Sequence, residues 1–260
     1  MITLTPQEIA ALGAVALMGG QQTDQGKTTA AKNLTHFLVS LGVDAKHIMV
    51  DKPENPSDGE DARVSTSTAD LKKLMSTFAS GGPTFMPILD LGGHASERYM
   101  EFDASFGNEM QGEIKLFILP VMLSTKEATI LATIERFINL GAAADRIVVV
   151  FNRVTGQVEM DDLPTKFPLL RATAKTLGFR ICSEPIFGWE VIAESRGTDT
   201  NLFKLASLDK TAIVAQRNAA RAAGDDAEFD RLQAINLDCA AAIKPVENFT
   251  RVFTEVLGLK

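Results

Sequence analysis

Ten residues near the start of the chain carry the strongest chemical pattern: Gly20-Gln21-Gln22-Thr23-Asp24-Gln25-Gly26-Lys27-Thr28-Thr29. A glycine-containing loop that runs into a helix can aim successive backbone N–H groups at a phosphate. The helix N-terminus adds positive potential at the same point. In such a loop Gln22, Thr23, Asp24, Gln25, Gly26, Thr28 and Thr29 would surround the phosphates, and Lys27 would reach their terminal oxygens. The Thr28 hydroxyl would coordinate Mg²⁺. The usual spacing is G-x-x-x-x-G-K-[ST]. Here Gln21 occupies the first glycine's place and Gly20 lies one position early.

Two carboxylates complete the set. Asp90 closes the apolar run Phe85-Met86-Pro87-Ile88-Leu89 and precedes Leu91-Gly92-Gly93. An acid at the carboxyl end of a parallel strand faces the ligand crevice, where it can hold Mg²⁺ or a water of its shell. Asp51 ends His47-Ile48-Met49-Val50 in the same way, which suits a role near the metal and the outermost phosphate.

These residues require strands that end together. The pattern supplies them as short apolar runs: Ala14–Met18, His47–Val50, Phe85–Leu89, Leu116–Val121, Arg146–Phe151 and a short piece at Phe179–Cys182 with Ile186. Helical periodicity falls between them, after Lys27, over 70–79, 126–140 and 169–177, with a further start at Thr5-Pro6. The segment 52–68 reads as loop and Gly92-Gly93-His94 as a sharp exit. Alternation of this kind predicts a doubly wound, mainly parallel α/β sheet. From Thr198 onward the chain reads as helices over 202–208, 210–223, 227–243 and 246–257. The expectation is a single domain over 1–260, with a core at about 12–195 and a helical C-terminal extension over 198–260.

Composition narrows the function classes. A net charge of −7 gives no indication of direct non-specific DNA binding. Cys182 and Cys239 lack metal-ligand spacing and read as reduced core thiols, and no His/Cys metal set exists. The N-terminal stretch has no basic region ahead of an apolar one, and no apolar run approaches the ~20 residues of a membrane span. A cytoplasmic location is expected. His36 reads as a helix-surface residue, His47 as a strand start and His94 as a solvated loop residue. Trp189 reads as core, and the stripe Val246, Phe249, Val252, Phe253, Val256, Leu257 as packing on the domain.

In order and spacing these pieces resemble the ParA/MinD group of deviant-Walker P-loop ATPases, over about 15–195. The resemblance rests on Gln21 with Gly26-Lys27-Thr28-Thr29, His47–Asp51, Asp90-Leu91-Gly92-Gly93, Ile118-Leu119-Pro120-Val121 with Ser124, and Val148–Phe151 with Asn152-Arg153. The plasmid-borne StbB/TraL-type members look nearest. The resemblance implies an ATP- and Mg²⁺-dependent switch that dimerises around nucleotide and acts on a partner protein, an adaptor or a DNA-binding protein, in plasmid stability, partition or conjugation. It implies that the Asn152-Arg153 element serves the base, with Asn152 hydrogen-bonding the adenine edge and Pro185-Ile186 beside it. Asn152-Arg153-Val154-Thr155 lacks the Asp of a guanine-reading signature, which favours ATP. Two departures stand out. The family's cross-dimer lysine falls at Gln22, and its water-orienting aspartate falls at Pro53, leaving Glu54 or Asp24 as substitutes. Slow or partner-dependent hydrolysis follows as an expectation. The alternatives are a dethiobiotin-synthetase-like ligase and a nucleotide-binding scaffold without turnover.

Overall fold

A computed structural model describes residues 13–17, 26–51, 62–65, 67–79, 85–91, 93–105, 114–163, 165–189 and 201–259. The expected helix after Thr5-Pro6 lies outside them. So do Gln22, Thr23, Asp24 and Gln25 of the first loop, and Pro53 and Glu54.

The described strands are β1 (Ala14–Leu17), β2 (Ala45–Asp51), β3 (Ala62–Ser65), β4 (Met86–Leu91), β5 (Ile114–Met122), β6 (Ile147–Val154), β7 (Arg180–Ile181) and β8 (Ile186–Phe187). They form one sheet in the order β3-β2-β4-β1-β5-β6-β7, with β8 also paired to β6. Every pairing is parallel. The helices are α1 (Lys27–Ser40), α2 (Thr68–Ala79), α3 (Gly93–Ser105), α4 (Glu127–Asn139), α5 (Gly156–Asp162), α6 (Pro168–Leu177), α7 (Leu202–Ser207), α8 (Lys210–Ala223) and α9 (Asp226–Leu257). The doubly wound parallel α/β architecture with C-terminal helices is as expected.

The sheet is buried on both faces, which is why its strands read as apolar runs rather than alternating ones. Ala14, Ala16, Val50, Leu89 and Phe117 face a cluster with Leu71 of α2, Tyr99 of α3, Ile134 of α4 and Leu170 of α6. Val15, Leu17, Ile88, Ile118 and Val150 face the opposite cluster, with Leu34 and Phe37 of α1, Phe203 of α7 and Phe249 and Phe253 of α9. Chain direction across the sheet explains the split. From β1 the chain moves toward the β3 edge, whereas from β3 through β6 it moves the other way. Right-handed crossovers then place the connecting helices on opposite faces. Phe37 sits 6.0 Å from Phe203 and 5.8 Å from Phe253, ring centre to ring centre. The C-terminal apolar stripe therefore packs on the sheet layer, as expected.

Four local expectations are corrected. The loop over 52–68 contains β3, an edge strand of four residues that pairs with Ile48–Asp51; its polar surroundings hid it. The exit after Asp90 leads directly into α3, so His94 lies in a helix and not in a loop. A short helix, α5, follows β6 where the sequence shows no periodicity. The two helices expected over 227–243 and 246–257 are one, α9, with Pro245 inside it. Proline removes one ladder hydrogen bond and usually ends a helix. Here Ala242, Pro245, Asn248 and Phe249 are all buried, and tertiary packing carries the helix through. No helix among the described residues is long and apolar enough to cross a membrane.

Candidate functional site

The carboxyl ends of β1, β2, β4 and β6 gather the site. Leu17, the last residue of β1, is in register with Asp90 of β4, and Asp90 with Met49 of β2. The chain leaving Leu17 returns at Gly26, whose φ of 79° is left-handed. Glycine adopts that conformation without the Cβ penalty. Helix α1 starts immediately after it, and Ala30 N–H is bonded to the Gly26 carbonyl at 2.9 Å. Gly26 has no side chain to cap the helix, and the first turn contains no acid. The N–H groups of Lys27, Thr28 and Thr29 precede that first intrahelical bond and are directed toward the start of the helix. Lys27 is buried and Thr28 half-buried.

Asp90 is 1% exposed. Its Oδ2 lies 3.4 Å from Nε2 of His47, itself 2% exposed. Its Oδ1 has no hydrogen-bond partner among the described residues. A buried carboxylate oxygen left this way is costly unless a cation or donor meets it. Mg²⁺ is a hard cation that takes oxygen ligands. It is usually held by one or two protein groups, together with waters and substrate phosphates. The Thr28 hydroxyl and the Asp90 carboxylate suit that requirement. Among the described residues no group of three or more His, Cys, Asp or Glu could form a metal cage on its own. Asp51 closes β2 one position beyond the Met49–Val50 pairs with Asp90 and Leu91. It therefore shares the same sheet edge.

The residues assigned to the base also converge. Asn152 is in register with Ile186, and both are buried, as is Pro185. The Asn152 side chain packs directly on Gly26: a Cβ added there would collide with Asn152 Nδ2. Asn152 Oδ1 accepts a hydrogen bond from Arg153 N at 2.9 Å. Arg153 has φ 57°, a conformation non-glycine residues seldom adopt. The turn beyond it is fixed by Glu159, which accepts from the backbone N–H and the hydroxyl of Thr155. Those bonds hold the Glu159 carboxyl below its usual range. Gly188 donates to the Val154 carbonyl at 3.0 Å, which lays the 186–189 turn against the end of β6. Gly26, Asn152 and Ile186 thus lie together at this end of the sheet.

Sequence reasoning missed three contributors. His47 reads as an ordinary strand residue, and nothing in its neighbourhood along the chain points to Asp90, forty-three positions away. Asn248 and Glu255 sit in what reads as a helical extension, yet both reach the 183–187 segment. Trp189 packs edge-on to Phe187 at 6.0 Å and is partly buried, as expected. Cys182 and Cys239 are free and buried. Burial pushes both thiols above the usual range, and the charge of Glu255 adds to the effect at Cys182.

No family model matches the chain, and no curated protein matches it. Solved structures do resemble it in backbone shape. Apo McdA from Cyanothece is 15% identical over 70% of this chain and 88% of its own, with a TM-score of 0.47. The ATP complex of a single-substitution variant of McdA from Cyanothece is 13% identical over 96% of this chain and 97% of its own, also with a TM-score of 0.47. A nucleotide-binding protein from Archaeoglobus fulgidus, in complex with ADP, is 13% identical over 73% of this chain and 89% of its own, with a TM-score of 0.44.

Proposed function

We propose that the chain is a ParA-like ATP-binding switch that takes Mg²⁺ with its nucleotide and hydrolyses ATP slowly or on contact with a partner. One observation carries the reading. The start of α1 at Gly26-Lys27-Thr28, left-handed at Gly26, follows the strand end beside which Asp90 is buried, with one carboxylate oxygen unsatisfied among the described residues.

In this reading the N–H groups at the start of α1 bind phosphate oxygens, and Lys27 neutralises the outer phosphates. Thr28 and Asp90 hold Mg²⁺, with Asp51 at the same edge. Magnesium would supply charge neutralisation of the β and γ oxygens. Asn152, Arg153, Pro185 and Ile186 line the base side, while Gln22, Thr23, Asp24, Gln25 and Thr29 complete the phosphate loop. Glu54 or Asp24 would orient the attacking water. Nucleotide binding would order the segments after Asp51 and Asp90, and release of phosphate would loosen them. The output would be a nucleotide-dependent homodimer with changed affinity for an adaptor or DNA-binding protein in the cytoplasm, in plasmid stability, partition or conjugation.

The test is titration of fluorescent ATP with Mg²⁺ into the wild type and Lys27→Ala. Loss of a charge-assisted contact is worth about 1.5–3 kcal/mol, so affinity is expected to fall at least about tenfold. Equal affinity in the two proteins would end the phosphate-loop reading. Gln22 and Pro53 favour a second reading, a scaffold that binds ATP without turnover. Phosphate release measured with and without candidate partners separates the two, since the scaffold stays silent in both.

A further inference from the structure

The segment 183–187 pairs with β6 on one side and is held from the other by α9. Asn248, 0% exposed in the middle of the helix, makes two hydrogen bonds to it. Its Nδ2 donates to the Pro185 carbonyl at 2.9 Å, and its Oδ1 accepts from Phe187 N at 3.0 Å. One side-chain amide therefore gives the outer edge of β8 a donor and an acceptor, as a neighbouring strand would. Two turns later Glu255 accepts from Ser183 N at 2.6 Å, from the Ser183 hydroxyl at 2.8 Å and from Glu184 N at 3.1 Å. Arg180 donates to the Val256 carbonyl at 3.1 Å. The inner side of the same segment is Ile186, paired with Asn152 against Gly26.

We propose that Asn248 and Glu255 of α9 are positioning residues for nucleobase recognition: they hold 183–187 in the shape that receives the base, so the C-terminal helix contributes to base selectivity beside Asn152. The proposal rests on the nucleotide reading above. Pro185 and Ile186 can meet a base only through backbone groups and an aliphatic surface, and such groups discriminate only when their position is fixed. The fixing bonds come from the far side of the segment, at residues that need not touch nucleotide.

The experiment compares Mg²⁺-dependent binding of ATP, GTP and inorganic tripolyphosphate to the wild type, Asn248→Ala and Glu255→Gln. Tripolyphosphate uses the phosphate loop alone and serves as the internal control. Wild-type protein is expected to prefer ATP over both others. Asn248→Ala is expected to lower the ATP-to-tripolyphosphate affinity ratio about tenfold, as two buried hydrogen bonds are lost, while tripolyphosphate affinity stays constant. Glu255→Gln should lower the ratio by a smaller factor, and it keeps the test open if Asn248→Ala does not fold. Reduced thermal stability with an unchanged ratio in the folded variants would show a purely structural role and overturn the proposal. A wild type that binds tripolyphosphate and ATP equally would overturn it while leaving the phosphate-loop reading intact. A wild type that binds neither would remove both.

Discussion

At Gly26 two constraints coincide: a left-handed backbone and the amide of Asn152 against its α-carbon. Gly26→Ala meets both, losing about 1–2 kcal/mol to the backbone alone and displacing Asn152 besides. In a double-mutant cycle, Gly26→Ala/Asn152→Ala should recover part of the lost stability, because removing the amide relieves the contact but not the backbone strain. Strict additivity in urea unfolding would show that the two residues do not press on each other. At Asp90, His47→Leu removes the neighbour 3.4 Å from Oδ2 and leaves a carboxylate that is 1% exposed. Stability is expected to fall by about 1–3 kcal/mol, and saturating Mg²⁺ and ATP should restore part of it through linkage. A loss that ligand cannot reduce would place His47 in packing alone. The residues proposed for the chemistry are those the sequence marks: Lys27, Thr28, Asp90 and Asn152 stand out by type and by position near strand or helix ends. His47 carries no such signal, because its role depends on register between strands distant in sequence.

Elements divide along a similar line. Central strands buried on both faces read as apolar runs, and α1, α4, α6 and α8 read from periodicity and stop signals such as Gly178, whose φ is 87°. The edge strand β3 has no second neighbour to demand an apolar run, so its four residues sit unmarked among polar ones. The sequence pattern divides α9 at Pro245 because local propensity opposes continuity there, while the packing that overrides it comes from residues elsewhere in the chain. The attachment of α9 to 183–187 has a pH signature. Burial pushes the Glu255 carboxyl up, but the hydrogen bonds from Ser183, Cys182 and Glu184 outweigh it, and the net shift is below the ordinary value of 4.5. A lowered folded-state value stabilises the fold above pH 4.5, and that stability is lost as pH falls through the lowered value. Wild-type stability should therefore drop more steeply below pH 4.5 than that of Glu255→Gln. Parallel acid-unfolding curves for the two proteins would contradict this.

For the whole molecule, α7 and α9 belong to the same apolar cluster as β1, β4, β5 and β6. Phe253 is 2% exposed and lies between Phe37 of α1 and Phe249, 5.8 and 5.5 Å away. Phe253→Ala should cost about 3–5 kcal/mol, measurable as a lower urea midpoint with the slope unchanged. A shortened chain ending near residue 200 should lose cooperative unfolding, since α1 would then expose an apolar face. The sequence pattern marks 198–260 as helical, with a break at Pro245 that α9 does not have, and carries no sign of which part of the core α7 and α9 join. Periodicity shows that a helix has an apolar face, not which layer that face covers.

The sheet order also constrains how the chain is made. β1 is made before the other described strands and ends in the middle of the sheet, yet its neighbours begin at Met86 and Ile114. Its helix, α1, stays half-bare until Phe249 and Phe253 arrive. Contacts this distant in sequence close slowly, so the nascent chain carries an unpaired central strand until β4 and β5 have been made. Newly made protein should depend on chaperone protection in proportion to translation time, whatever the stability of the finished fold.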